Sequence, residues 1–147
     1  MEQQNFTKPF YIFFLMMPSG ISQGFVTVAL PYLLTKNGFP VAVTAGIVAI
    51  GVSANLWRFL WGPVVDITLS LQKWFWIGIV STILTLLLLC FIPFTLKGAA
   101  FLSLIVFISQ VATTITLLPI NGIIAKSIKE NKKGEASGWY QAGSLAG

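Results

Sequence analysis

The sequence predicts an all-α fold, a polytopic transmembrane helix bundle, and three observations carry that prediction. The 147 residues are 56% hydrophobic and 9% charged, with a mean hydropathy of +0.85. A soluble domain averages about 25% charged and 45–50% apolar residues. Four apolar runs reach the length of about 20 residues that crosses roughly 30 Å of hydrocarbon. The basic residues cluster between those runs, so the net charge of +5 reads as membrane topology and not as a nucleic-acid surface.

The predicted spans are Phe10 to Leu34, Val41 to Trp61, Trp74 to Phe94 and Ala99 to Ala125. A fifth run covers 136–147 and would rise only about 18 Å. It is too short to cross, so the sequence reads as the N-terminal piece of a longer protein, with a short membrane protein as the alternative. Helices one and two are joined by "TKNGFP", which holds an Asn-Gly turn and a proline entering the next helix. Gly62-Pro63 is expected to end helix two, leaving "VVDITLSLQK" as the next connection. "PFTLKG" and "KSIKENKKGEA" are the remaining links. Connections this short predict antiparallel neighbours in an up-down bundle.

Orientation follows from the basic residues. Lys8, Arg58, Lys73, Lys126, Lys129, Lys132 and Lys133 fall on one side, Lys36 and Lys97 on the other. The positive-inside rule then puts the N-terminus in the cytoplasm. Trp57, Trp61, Trp74, Trp76 and Trp139 are expected at the same rim, as an aromatic belt at the headgroups. The single cysteine, Cys90, lies in an apolar run and reads as a small apolar filler.

Helices in lipid associate through small residues. Gly20 and Gly24 form a G-x-x-x-G on helix one. Gly134, Gly138, Ala142 and Ala146 give helix five a small residue at every fourth position, and Gly143 and Gly147 repeat the spacing on a neighbouring line. A tightly packed bundle is the simplest reading of both. Pro18 and Pro31 in helix one and Pro119 in helix four are expected to bend their helices, since proline removes an amide donor.

Polar residues recur on single faces. Ser19, Gln23 and Thr27 are spaced by four on helix one; Gln110, Thr114 and Asn121 share a face of helix four. Asn55 precedes Arg58 on helix two, and Gln141 lies on helix five. Such residues face the bundle interior, either as helix-to-helix hydrogen bonds or along a water-filled path. All eight are candidate cavity-lining residues. The sequence has no histidine and four acidic residues, so it offers no metal cluster and no nucleophile-base pair. No cofactor and no enzymatic activity are expected. Nor does a lysine or an acid fall mid-span, where a proton relay would need one.

The stretches "PSGISQGFVTVALPYLLTKNGF" and "ANLWRFLWGPVVD" resemble the N-terminal half of major facilitator superfamily transporters. "KGEASGWYQAGSLAG" resembles that family's entry into helix five. Arg58, Phe59-Leu60-Trp61, Pro63 and Asp66 are similar to the branch containing AmpG-type muropeptide permeases and acetyl-coenzyme A transporters. The superfamily signature between helices two and three is matched at Gly62 and Asp66. It is not matched at Ile67, Leu69, Ser70 and Leu71, where the family carries Arg, Gly and a basic pair; Lys73 alone follows nearby. Helix four lacks the arginine that many proton-coupled members carry.

The resemblance implies a twelve-helix fold in two halves, with a central cavity that opens to each side in turn. It makes Asp66 a gate contact, Gly62 a site of close helix approach, and Arg58 and Lys73 candidate charge partners at the gate. It further implies a transporter of a small or medium-sized solute in a bacterial inner membrane. Its partners would be the lipid bilayer, the solute and a missing C-terminal half, and not nucleic acid. A small membrane subunit acting only within a complex is the alternative.

Overall fold

The computed structural model describes residues 8–93 and 95–147, and of Asp66 the backbone alone. Among the described residues there are helices and no strands. Helix α1 runs through Tyr11–Gly24, a π-helical stretch Phe25–Ala29, and Leu30–Lys36. Helix α2 comprises Val41–Ser53, a 3-10 stretch Ala54–Trp57, and Arg58–Thr68. Helix α3 is Leu71–Phe91. Helix α4 is Ala99–Ser127, and α5 is Lys133–Ala146. The first four are long and apolar enough to cross a membrane.

The α1–α2 turn closes as its sequence requires. Gly38 takes φ of 81°, which an L side chain rarely adopts. Its N–H donates to the Thr35 carbonyl at 3.0 Å, and the Phe39 N–H donates to the Leu34 carbonyl at 3.1 Å. This is the Schellman arrangement that satisfies the last carbonyls of a helix, and it delivers Phe39 into the core.

Helix α4 is the centre of the bundle and packs on α1, α2 and α3. One core cluster joins Val26, Leu30, Ile47, Leu89, Leu102 and Val106. The second joins Ile12, Met16, Leu117, Ile120, Ile128 and Ala136 nearer the lysine-rich end. Gly78 lets α3 approach α4 closely, because a Cβ there would lie 2.8 Å from the Thr116 amide nitrogen.

Several expectations change. Helix α2 does not end at Trp61: it continues through Gly62-Pro63 to Thr68, and only Leu69 and Ser70 separate it from α3. Pro63 costs the helix one amide bond, which packed neighbours tolerate. Pro18 and Pro119 likewise lie inside unbroken helical stretches. The π and 3-10 stretches fall elsewhere. The Leu30 N–H reaches back five residues to Phe25, just before Pro31, whose ring crowds the carbonyl four residues earlier. The expected end of helix three, Phe94, lies outside the described residues.

The longer α2 moves three side chains. Trp57, Arg58 and Trp61 stand 11, 10 and 7 residues before Thr68, or about 16, 15 and 10 Å along the axis. They lie within the candidate span Val41–Val65 and not past its end. Trp74, Trp76 and Trp139 remain at the lysine-rich end; Trp74 Nε1 donates to Thr68 Oγ1 at 3.2 Å, and Trp139 packs edge-on to Phe10 at 5.0 Å. Cys90 is exposed on the outside of α3 and fills no core.

The small-residue face of α5 is also corrected. Gly134 and Gly138 have nothing within 4 Å of a would-be Cβ, and Ala142 and Ala146 are exposed. The neighbouring line packs on α1 instead. A Cβ on Gly143 would lie 2.8 Å from Met16 Cβ, and one on Gly20 would lie 3.1 Å from the Gly143 carbonyl oxygen. Ala136, Trp139, Tyr140 and Gly143 follow the i, i+3, i+4, i+7 spacing of one helical face, so the larger side chains choose the line that is buried.

Candidate functional site

Two polar regions stand out, one closed and one open. The closed one is a seam between α1 and α4. Ser22 Oγ and Thr113 Oγ1 are 2.7 Å apart. Gln110 Nε2 donates to Ser22 Oγ at 3.4 Å and to the Ser22 carbonyl at 3.5 Å. All three residues are buried. Gln110 therefore ties two helices together, and Ser22 and Thr113, which the polar stripes did not single out as cavity residues, complete the tie. Their signal in the sequence is a weak one, because a lone Ser or Thr in a span can also bond its own helix.

The other candidates separate by the same criterion. Ser19 Oγ donates to the Met16 carbonyl at 2.7 Å, Thr27 Oγ1 to the Gln23 carbonyl at 2.8 Å, and Thr114 Oγ1 to the Gln110 carbonyl at 2.9 Å. These hydroxyls are satisfied within their own helices. Gln23 is half-buried, and Asn55 is exposed in the 3-10 stretch of α2. The buried hydroxyls of Thr44, Thr82 and Ser109 find no hydrogen-bond partner among the described residues.

The open region lies at the lysine-rich end. A cleft of about 530 Å³ between α4 and α5 is lined by Asn121, Ile124, Lys133, Ser137, Tyr140 and Gln141 among others. The fold thus brings together two amides that lie 20 residues apart in sequence. A second groove, of about 240 Å³, is lined by Gly62, Val65, Leu118, Asn121, Gly122 and Lys126. Asn121 and Ala125 line both, so the two adjoin along α4. Among the described lining residues two are lysines and none is acidic. Lys133 Nζ is held 2.6 Å from Glu130 Oε2, and Glu135 Oε1 accepts from Trp139 Nε1 at 3.4 Å.

The gate candidates are placed as follows. Gly62 borders the second groove, but a Cβ there would meet nothing within 4 Å, so it does not mark a close helix approach among the described residues. Lys73 is exposed in the first turn of α3. Asp66 lies in the last turn of α2, and its side chain is outside the described residues. Arg58 precedes it by eight residues of unbroken helix, about 12 Å along the axis. Pro63 does not shorten that distance.

Comparison with known proteins gives one match. The family model described as Major Facilitator Superfamily matches residues 3–147. No curated protein and no solved structure matches the chain.

Proposed function

We propose that this chain, which belongs to the major facilitator superfamily, forms one side of the solute path of an alternating-access transporter. The observation that supports the reading is the pair of adjoining clefts along α4, bordered by α5 and α2, which carry Asn121, Ser137, Tyr140 and Gln141 at the lysine-rich end. In a bilayer such polar side chains in an open cleft are tolerated where they face water or protein. Asn121 and Gln141, together with Tyr140 and Ser137, offer a solute hydrogen-bond donors and acceptors from two helices.

Alternating access needs a second bundle to rock against the first. The chain is read as supplying one of the two, and it is expected not to transport by itself. Saturable uptake by liposomes holding only these 147 residues would remove that expectation. The lysine-rich end is read as cytoplasmic. With Arg58 assigned to the interior, six lysines remain there against Lys36 and Lys97 at the other end, and the bias keeps its sign. A bacterial inner membrane fits that orientation. The AmpG-type resemblance of "RFLWGPVVD" argues for a bulky polar solute.

Asp66, Gly62 and Lys73 form the proposed gate at the short α2–α3 turn. The open space at Gly62 leaves room there for an incoming helix. In the transporter assembled with its second half, Asp66→Asn should reduce uptake at least tenfold, a loss of about 1.4 kcal/mol in the transport step, with membrane levels unchanged. Uptake equal to that of the unaltered protein would refute the gate.

A further inference from the structure

A groove of about 360 Å³ runs between α1 and α3. Phe14, Pro18 and Ile21 line one wall, and Ile79, Thr82 and Ile83 line the other, among others. None of its lining residues borders the two clefts at the lysine-rich end. Phe14, Ile21 and Ile83 are each more than half exposed, so the groove opens on the outside of the bundle. Its depth follows from α3. Thr82 stands 11 residues after Leu71 and 9 before Phe91, about 16 and 14 Å along the axis. The groove is therefore centred in the hydrocarbon.

Thr82 is the one polar side chain among the described lining residues. It is 4% exposed, and its hydroxyl has no hydrogen-bond partner among the described residues. Asp66, in the last turn of α2, and residue 94, past the end of α3, belong to the ends of spans and not to this depth. The contrast with its neighbours is direct. Thr85, Thr113, Thr114 and Thr116 each donate to a carbonyl of their own helix, as threonines in spans commonly do. Thr82 does not.

The facing wall has the complementary lack. Pro18 has no N–H to give the Phe14 carbonyl four residues earlier, and both residues line the groove. One wall thus holds an unused hydroxyl, the other a carbonyl without its usual helical donor. A hydrocarbon tail fills such a groove but serves neither group. A ketone accepts from Thr82 and gives the carbonyl nothing. An alcohol does both, accepting from Thr82 Oγ1 and donating to the Phe14 oxygen. An unpaired hydroxyl at this depth is costly, so the pairing makes this groove selective.

We infer that the α1–α3 groove is a binding site for a lipophilic alcohol, an aliphatic body with one hydroxyl, entering from the bilayer. The site is separate from the solute path and does not rest on the transport reading.

The test compares two photoreactive probes on the full chain in phosphatidylcholine nanodiscs. One is a diazirine-bearing octanol; the other is the matching diazirine-bearing octane. Adducts are mapped by mass spectrometry. The octanol should label residues 14–21 and 79–86 about fivefold more than the octane does, and plain octanol should compete. Thr82→Val, which removes the hydroxyl and keeps the branch, should lower octanol labelling there to the octane level. Thr82→Ser should retain it. Adducts elsewhere on the chain serve as the internal reference for a folded variant. Equal labelling by the two probes would overturn the inference, since the groove would then hold lipid tails without selection. Undiminished octanol labelling of Thr82→Val would overturn it too. So would labelling that vanishes in nanodiscs holding two chains, because a second copy would then be the occupant.

Discussion

Helices α3 and α4 lie side by side and obey opposite rules. Helix α3 is the more apolar, yet only 22% of its span is buried; in α4 the share is 56%. Ile83, Leu84, Leu87 and Leu88 of α3 face outwards. Ser109, Gln110, Thr113, Thr114 and Thr116 of α4 are buried. In water this would be an inverted protein. In a bilayer, lipid tails solvate leucine as well as a protein core does, so hydrophobicity does not decide which helix goes inside. Polar side chains and close packing decide it, and α4 has both.

The largest test of this contrast is the close approach at Gly78. Gly78→Leu would drive a side chain into the Thr116 backbone, whose Cα lies 2.9 Å from the would-be Cβ. We expect a loss of about 3 kcal/mol or more, read as a lower melting temperature by circular dichroism in detergent. Gly46→Leu, where nothing lies within 4 Å, is the control and should melt no lower. Equal melting of the two variants would mean that α3 and α4 are not held by packing.

A matched pair of truncations comes next. Leu102→Ala removes a buried side chain of α4, and Leu84→Ala removes one that is 56% exposed on α3. The first should cost about 2–4 kcal/mol and the second less than about 0.5 kcal/mol. Losses of the same size would erase the distinction between a protein-facing and a lipid-facing leucine.

The smallest effect is expected in the polar seam. Ser22→Ala removes the 2.7 Å link to Thr113, but Thr113 Oγ1 still donates to the Ser109 carbonyl at 2.9 Å. Interhelical hydrogen bonds in membranes average about 0.6 kcal/mol, and the variant should lose about that much. A loss several times larger would make the seam the main fastening of α1 to α4.

The same physics divides what could be read in advance. Composition and run length were enough for an all-α membrane bundle with four spans, because the bilayer sets the length of an apolar helix. The polar identity of Asn121 and Gln141 was legible, but their meeting in one cleft was not, since it depends on how α5 docks against α4. On α5 the sequence offered two lines of small residues. Which one packs was settled by where Trp139 and Tyr140 point, and the more regular line of Gly134, Gly138, Ala142 and Ala146 lost.

Arg58 shows the boundary most clearly. The sequence by itself determined that a lone arginine stands beside a Gly-Pro pair near the end of an apolar run. Read locally, proline ends a helix, and the charge belongs at the rim. The tertiary structure carried the helix seven residues beyond Trp61, because α2 packs against α4 along that stretch and so tolerates the missing amide bond. One helix boundary, too weakly encoded to read from propensity, turned a charge expected near the end of its helix into a half-buried one ten residues before it.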